Sequence, residues 1–168
     1  MLFLFLMYLY PNDYAELPFF LRIQDKENNR KFTMDTTLKA SKAKILLMDD
    51  EYTVRDVVKR MLTAGGYSVE LAENGEEAVA AFQTAIHEGN PFDAVILDLI
   101  VQNGMDGRSA LQKLLEIDPN VKIIVASGYS DDPVMANYKD YGFKGIIPKP
   151  FTFQQIKNVV QRVLISDN

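Results

Sequence analysis

Four separate segments of this sequence carry residues that could do chemistry together. An acidic run, Asp49–Asp50–Glu51, follows one short apolar stretch, and a single carboxylate, Asp98, follows another. A hydroxyl, Ser127, and an ammonium, Lys149, end two further apolar stretches. Each residue alone has a plain explanation as a helix cap, a loop residue or a surface charge. Together they offer oxygen ligands for a cation, a carboxylate nucleophile and a positive charge.

The elements that must position these residues are predicted to be five strands alternating with five helices. Apolar runs of strand length are Ile45–Met48, Tyr67–Ala72, Phe92–Leu97, Val121–Ala126 and Lys144–Ile147. The alternation predicts an α/β fold, a doubly wound, flavodoxin-like parallel sheet of order 2-1-3-4-5 with helices on both faces. Because ligands bind at the carboxyl ends of such strands, the four segments should face one crevice.

Capping patterns predict where the helices begin. The predicted caps are Thr53 with Asp56, Asn74 with Glu77, Asp132 with Pro133, and Thr152 with Gln155. The first helix should end at Gly65–Gly66. Its predicted inward face consists of Val54, Val57, Val58, Met61 and Leu62.

Three carboxylates at one sheet edge indicate a cation site. Asp49, Asp50 and Asp98 would repel one another by a few kcal/mol per pair at ~4 Å and an effective dielectric constant of about 20. All-oxygen ligation is what Mg²⁺ prefers, and the ion can neutralise a phosphoryl group during transfer. Asp98 is then free to act as nucleophile, while Lys149 and Ser127 contact phosphate oxygens. The spacing therefore suggests phosphoryl transfer to Asp98.

The segments KILLMDDE, DAVILDLIVQNGMDG, VASGYS and IIPKPF resemble, in order, those of the receiver domains of two-component response regulators. The resemblance covers residues 44–168. The loop in which Gly104 precedes Met105–Asp106–Gly107 is one residue longer than usual and is similar to receivers of hybrid sensor kinases.

This resemblance implies a role for each candidate residue. Asp98 matches the phosphoacceptor, Ser127 the switch hydroxyl, and Lys149 the family's lysine, whose bond to Pro150 is usually cis. The metal ligands it implies are three carboxylates and one backbone carbonyl, from Asp49, Asp50, Asp98 and Ile100. The implied partner is a histidine kinase or a histidine phosphotransfer protein. The protein would be a switch that catalyses only its own phosphotransfer and dephosphorylation, rather than an enzyme.

Some positions depart from the family pattern. Ile146 replaces the switch aromatic of the fifth strand, and Gln102 replaces the loop proline after the phosphoacceptor. The first change puts in doubt the coupled movement of hydroxyl and aromatic, so Tyr141 or Phe143 could serve instead. Tyr129 stands at a position that tunes dephosphorylation in such domains.

Composition excludes several other classes of protein. Without cysteine and with a single histidine, His87, the chain can form neither a disulfide nor a multi-histidine metal site. We expect His87 to be solvated at a helix end. A formal net charge of −5 without a basic run opposes nucleic-acid binding.

Three alternatives to a phosphorylated switch remain. An aspartyl-phosphate phosphatase would need a carboxylate two residues after Asp98, where Ile100 stands. A flavin-binding module would need a hydroxyl-rich or glycine-rich loop in place of Asp49–Asp50–Glu51. A phosphorylation-independent scaffold ranks below the switch, because every core site residue is present.

Residues 1–43 are predicted to be an N-terminal extension or linker that precedes the receiver domain. The first ten residues, MLFLFLMYLY, are too few for a membrane span of about 20 residues. Membrane contact by this segment is not favoured but stays open. Because the sequence ends at Asn168, soon after the fifth helix, we expect it to act through protein contacts. We also expect a cytoplasmic location. A homodimer, a stand-alone regulator and a part of a hybrid kinase all stay open.

Overall fold

The computed structural model describes residues 42–128 and 132–166. The strands of this part of the chain are β1 Lys44–Met48, β2 Ser68–Ala72, β3 Ala94–Asp98, β4 Ile123–Ser127 and β5 Gly145–Pro148. The helices are α1 Tyr52–Ala64, α2 Gly75–His87, α3 Gly107–Ile117, α4 Pro133–Ala136 and α5 Phe153–Ile165. Strands and helices alternate as predicted.

The strands form one parallel sheet in the order β2-β1-β3-β4-β5, which confirms the predicted fold class. β3 lies at the centre, and all five of its residues are buried. Met48 pairs with Leu97, and Asp98 pairs with Ala126. This register brings the carboxyl ends of β1, β3 and β4 to the same edge of the sheet.

The sheet is buried on both faces because successive strand residues point to opposite sides. In β1, Leu46 and Met48 join the cluster that contains Phe82 of α2 and Leu114 of α3. The alternate residues of β1 join the cluster on the other face, which contains apolar residues of α1 and α5. Two apolar layers thus fix the sheet, and through it the strand ends.

Three of the four predicted helix caps are present. The cap side chains of Asn74, Asp132 and Thr152 accept hydrogen bonds from backbone N–H groups of the first helical turn. The cap predicted at Thr53 is wrong, because α1 begins at Tyr52, and its N-cap residue Glu51 makes no side-chain capping bond. The backbone N–H of Glu51 is satisfied instead by a carboxylate oxygen of Asp49, at 2.9 Å.

The inward face of α1 also differs from the prediction. Val58 and Leu62 are buried as predicted, but Val57 is 42% exposed. Arg55, three residues before Val58, is 5% exposed and takes an inward position on this face. The buried stripe therefore includes a cation that the apolar pattern did not predict.

The expectations for residues 1–43 fall almost wholly outside the described residues and stay predictions. No helix in residues 42–128 and 132–166 combines the length and the apolar character that a bilayer span requires.

Candidate functional site

The structure gathers the predicted site residues at the carboxyl edge of the sheet. Asp49 directly follows β1, Asp98 ends β3, Ser127 ends β4, and Lys149 directly follows β5. Asp49 is 2% exposed and Asp98 is 7% exposed, whereas Asp50 is half-buried. Asp49, Asp50 and Asp98 each present a carboxylate oxygen within 4.8 Å of the others. This set of oxygen donors suits a hard divalent cation such as Mg²⁺.

Lys149 bridges two of these carboxylates. Its ammonium Nζ donates to Asp49 Oδ2 at 2.6 Å and to Asp98 Oδ2 at 2.9 Å. Burial alone would lower the pKa of Lys149, but its contacts with the two carboxylates together raise that pKa above its ordinary value. Lys149 is therefore a cation at neutral pH, positioned between the acidic groups.

Asp98 is costly to ionise despite its cationic partner. Burial raises its pKa above the ordinary value for aspartate, while the hydrogen bond and charge of Lys149 act in the opposite direction. The negative charge of Asp49 adds to the increase. A further cation beside Asp98 would lower the free energy of its charged form.

The backbone of the acidic pair is held by a residue that sequence reasoning missed. The guanidinium Nη1 of Arg55 donates to the carbonyl of Asp49 at 2.7 Å and to that of Asp50 at 2.9 Å. Its Nη2 pairs with Glu73 at the end of β2. The available signal was the position of Arg55, three residues before Val58 on a face predicted to be buried.

The loop between β3 and α3, residues 99–106, closes the other side of the site. Its Gln102 N–H donates to Asp50 Oδ2 at 2.9 Å, and the backbone of Ile100 hydrogen-bonds Asp98. A pocket of about 170 Å³ is lined by Asp50, Glu51, Asp98, Ile100, Gln102, Ser127, Gly128 and Lys149. Ile100 thus lines the pocket, but the role of its carbonyl as a metal ligand stays a prediction.

Ser127 and Lys149 are linked through the backbone. Ser127 is 1% exposed, and its carbonyl accepts the N–H of Lys149 at 2.8 Å. The peptide bond between Lys149 and Pro150 is cis, as the resemblance implied. Ser127 and Lys149 thus lie at the ends of adjacent strands, and both line the pocket.

Of the two departures from the family pattern, Gln102 contacts Asp50 directly, whereas Ile146 lies within β5. Ile146 is half-buried and pairs with Val125, while Phe143 is fully buried in the core. Tyr141 is exposed, and the guanidinium of Arg108 lies 5.9 Å from its ring centre. Their switching roles stay predictions, and Tyr129 lies outside the described residues.

His87 lies in the last turn of α2 and is exposed, as expected. Its Nδ1 lies 2.7 Å from the carbonyl oxygen of Gln83 in the same helix. Nothing in this position brings it near the carboxylates of the sheet edge.

Comparison with known proteins identifies the pattern. The family model of the response regulator receiver domain matches residues 45–161. The chain is 33% identical over 135 residues to the sensor kinase CckA of Brucella abortus, a match that spans 80% of this chain but 14% of that kinase. It is 30% identical over 121 residues to sporulation initiation phosphotransferase F of Bacillus subtilis, a match that spans 72% of this chain and 93% of that protein.

A solved structure resembles the chain in fold as well. It is the receiver domain of a sensor histidine kinase from Pseudomonas aeruginosa PAO1, with a magnesium ion coordinated in the active site cleft. The TM-score is 0.65 at 26% sequence identity, and the match spans 74% of this chain and 99% of the other.

Proposed function

The chain belongs to the family of response regulator receiver domains, and on that premise we propose that its Asp98 accepts a phosphoryl group in a Mg²⁺-dependent reaction. The observation that carries the proposal is the position of Asp98 within the site. This buried carboxylate lies 2.9 Å from Lys149 Nζ, and one of its oxygens is within 4.8 Å of oxygens of Asp49 and Asp50. Carboxylate nucleophile, cation and oxygen donors thus occupy one pocket.

Phosphoryl transfer would proceed by attack of a carboxylate oxygen of Asp98 on the phosphorus of a phosphohistidine. A new O–P bond forms as the N–P bond breaks, and the imidazole of the donor leaves. The Lys149 ammonium, already 2.9 Å from Asp98 Oδ2, pairs with the incoming phosphoryl oxygens. The Ser127 hydroxyl, at the end of the adjacent strand, is the proposed donor to another of these oxygens.

The metal proposed for this site is Mg²⁺, held by Asp49, Asp50, Asp98 and the carbonyl of Ile100. The three carboxylates fit such an ion because they supply hard oxygen donors and carry an excess of negative charge. When bound, the ion supplies charge neutralisation for the phosphoryl group.

Receiver domains interact with histidine kinases or phosphotransfer proteins, and such a protein is the proposed phosphodonor here. The chain spans 14% of the length of the sensor kinase that it matches, so that kinase's own activity is not carried over. We include in the proposal a cytoplasmic location and a switch function that works through protein contacts. In this proposal the chain catalyses only its own phosphotransfer and dephosphorylation.

The proposal is tested by incubating the chain with acetyl phosphate, with and without Mg²⁺, and measuring its intact mass. We expect the wild type to gain one phosphoryl group only with Mg²⁺, and Asp98→Asn to gain none. Asp140→Asn, an exposed substitution of the same type remote from the pocket, should behave as wild type. Absence of the gain in wild type with Mg²⁺ would refute the switch and favour the phosphorylation-independent scaffold.

A further inference from the structure

The loop of residues 99–106 is attached to helix α2 as well as to the site. The backbone N–H of Met105 donates to Glu76 Oε2 at 2.6 Å, and the carbonyl of Met105 accepts the N–H of Gly75 at 2.8 Å. At its other end the loop contacts the site through Gln102, whose N–H donates to Asp50 Oδ2. Only two residues, Asn103 and Gly104, therefore separate the attachment to Asp50 from the attachment to Glu76.

Glycine on both sides lets the loop lie this close to α2. Gly104 has a φ of +92°, and a Cβ there would lie 3.0 Å from Glu76 Oε2 and 3.1 Å from the Cβ of Asn74. A Cβ on Gly75 would lie 2.8 Å from the side chain and the carbonyl of Met105. Gly104 thus supplies the turn that brings Met105 onto the helix.

The hydrogen bond between the Met105 N–H and the Glu76 carboxylate is electrostatically favourable. Its carboxylate lies in the first turn of α2, where unpaired N–H groups favour negative charge. The hydrogen bond from Met105 is the main cause that lowers the pKa of Glu76 below its ordinary value. The carboxylate is therefore ionised at neutral pH and accepts the Met105 N–H as a charged acceptor.

We propose that Glu76 is a positioning residue for the phosphoryl-transfer site, because it holds the 99–106 loop through Met105. The loop then keeps the backbone of Ile100 against Asp98 and the N–H of Gln102 against Asp50. The role of the loop in binding metal rests on the proposed function, whereas its attachment to Glu76 does not.

This role has a specific consequence for Mg²⁺ binding. Without the Glu76 contact, the loop samples more conformations, and binding must order it before the Ile100 carbonyl can act as a ligand. The apparent affinity for Mg²⁺ is then the intrinsic affinity multiplied by the fraction of molecules whose loop is in the binding-competent conformation. We therefore expect the rate of phosphorylation to fall at low Mg²⁺ and to recover at saturating Mg²⁺.

The test compares Glu76→Ala with Glu77→Ala in the full chain. Both residues lie in the first turn of α2 and both are exposed, so the two variants lose the same charge at the same helix end. Glu77 accepts the N–H of Glu73 at 2.9 Å and has no such bond to the loop. A third variant, Glu76→Gln, keeps an acceptor oxygen and should restore much of the wild-type behaviour.

Two measurements distinguish positioning from a general loss of stability. Hydrogen exchange of the Met105 and Gln102 amides, measured by NMR without metal, should be faster in Glu76→Ala than in wild type or Glu77→Ala. The Kd for Mg²⁺, measured by calorimetry, should rise about tenfold in Glu76→Ala, as for loss of an outer contact of a metal ligand. The Kd of Glu77→Ala should stay near that of wild type.

Unchanged exchange of both amides in Glu76→Ala, or a Kd no higher than in Glu77→Ala, would overturn the positioning role. Failure of the proposed function shows itself differently. In that case wild type takes no phosphoryl group from acetyl phosphate, while the amide exchange still reports whether Glu76 holds the loop.

Discussion

The two halves of the site are held by different kinds of contact. Asp98 and Ser127 end β3 and β4, so the sheet and its two apolar layers fix them; we call these the strand part. Ile100 and Gln102 are exposed residues of the 99–106 loop and form the loop part, which is attached by hydrogen bonds to Asp50 and Glu76. A hydrogen bond contributes only about 0.5–1.5 kcal/mol, whereas the strands share their burial with the whole core.

Stability and metal affinity can therefore be changed separately in the two parts. A change that forces atoms against the strand part disturbs the core and should lower the free energy of global unfolding. A change in the loop part should mainly alter a local opening equilibrium, whose free energy is much smaller than that of global unfolding. The affinity for metal should depend on both parts, because each supplies groups to the same pocket.

The largest effect is expected at Gly107, where α3 begins against the strand part. A Cβ at this position would lie 2.2 Å from the carbonyl oxygen of Asp98 and 3.2 Å from the Cα of Leu99. Backbone atoms of a central strand cannot move aside easily. We expect Gly107→Ala to lower the free energy of unfolding by about 3 kcal/mol, measured by urea denaturation.

Gly128→Ala provides the control for that substitution at the same edge of the sheet. Among the described residues, the nearest neighbour of a Cβ on Gly128 would be the Cβ of Lys149 at 3.9 Å, which is ordinary contact. It should change stability by no more than about 0.5 kcal/mol. Equal losses in the two variants would mean that the strand part is not fixed by the packing of α3.

A second pair of variants, Gly104→Ala and Gly66→Ala, tests whether the loop part affects metal binding separately from stability. Both glycines have a φ of +92°. Each substitution should cost about 1 kcal/mol of stability, because an L-residue is strained in that conformation. At Gly104 the new Cβ would contact Glu76, whereas a Cβ on Gly66 would meet no atom of residues 42–128 and 132–166 within 4 Å. We therefore expect only Gly104→Ala to weaken Mg²⁺ binding, as measured by calorimetry.

A similar rise in the Kd for Mg²⁺ in both glycine variants would show that affinity follows overall stability. In that case the loop part would have no separate influence on the site. A rise confined to Gly104→Ala would instead locate the effect in the loop.

The strand part could be predicted from the sequence because polar residues end apolar runs, and parallel strands meet at one edge. Asp49 and Asp98 were found in this way, and the strand bounds differ from prediction by one or two residues. The spacing of Arg55 could have placed it on the inward face of α1, but the contacts of Arg55 and Glu76 could not be predicted, because each binds backbone groups whose positions depend on the path of a loop. Glu76 and Met105 are 29 residues apart in the sequence. Because the donor is a backbone N–H, which almost every residue type has, the identity of residue 105 does not indicate this bond.

The start of α1 is a second feature that could not be predicted from local sequence. The pattern at Thr53 and Asp56 favours a capping box, yet the helix begins at Tyr52. The side chain of Asp49 accepts the N–H of Glu51, and Arg55 binds the carbonyls of Asp49 and Asp50. Local propensity is thus overridden by the contacts that shape the acidic pair.

The smallest effect concerns the charge buried in the strand part. Burial raises the pKa of Asp98 in the folded protein above its ordinary value, so the folded state binds this proton more tightly than the unfolded state. Stability from this group is present at acid pH and is lost as the pH rises through the folded pKa. Without metal, Asp98→Asn should be more stable than wild type at pH 7, with a difference smaller than that of either Gly107→Ala or Gly104→Ala.

That gain should shrink as the pH is lowered from 7 and Asp98 in wild type takes up its proton. Urea midpoints measured in a chelator as the pH is lowered give the comparison, with Asp140→Asn as control for the lost charge. Added Mg²⁺ should reverse the order, because it binds and stabilises folded wild type more than the variant. Lower stability of Asp98→Asn at pH 7 without metal would mean that the ion pair with Lys149 outweighs the cost of burial. The strand part would then resemble the loop part in depending on one polar contact.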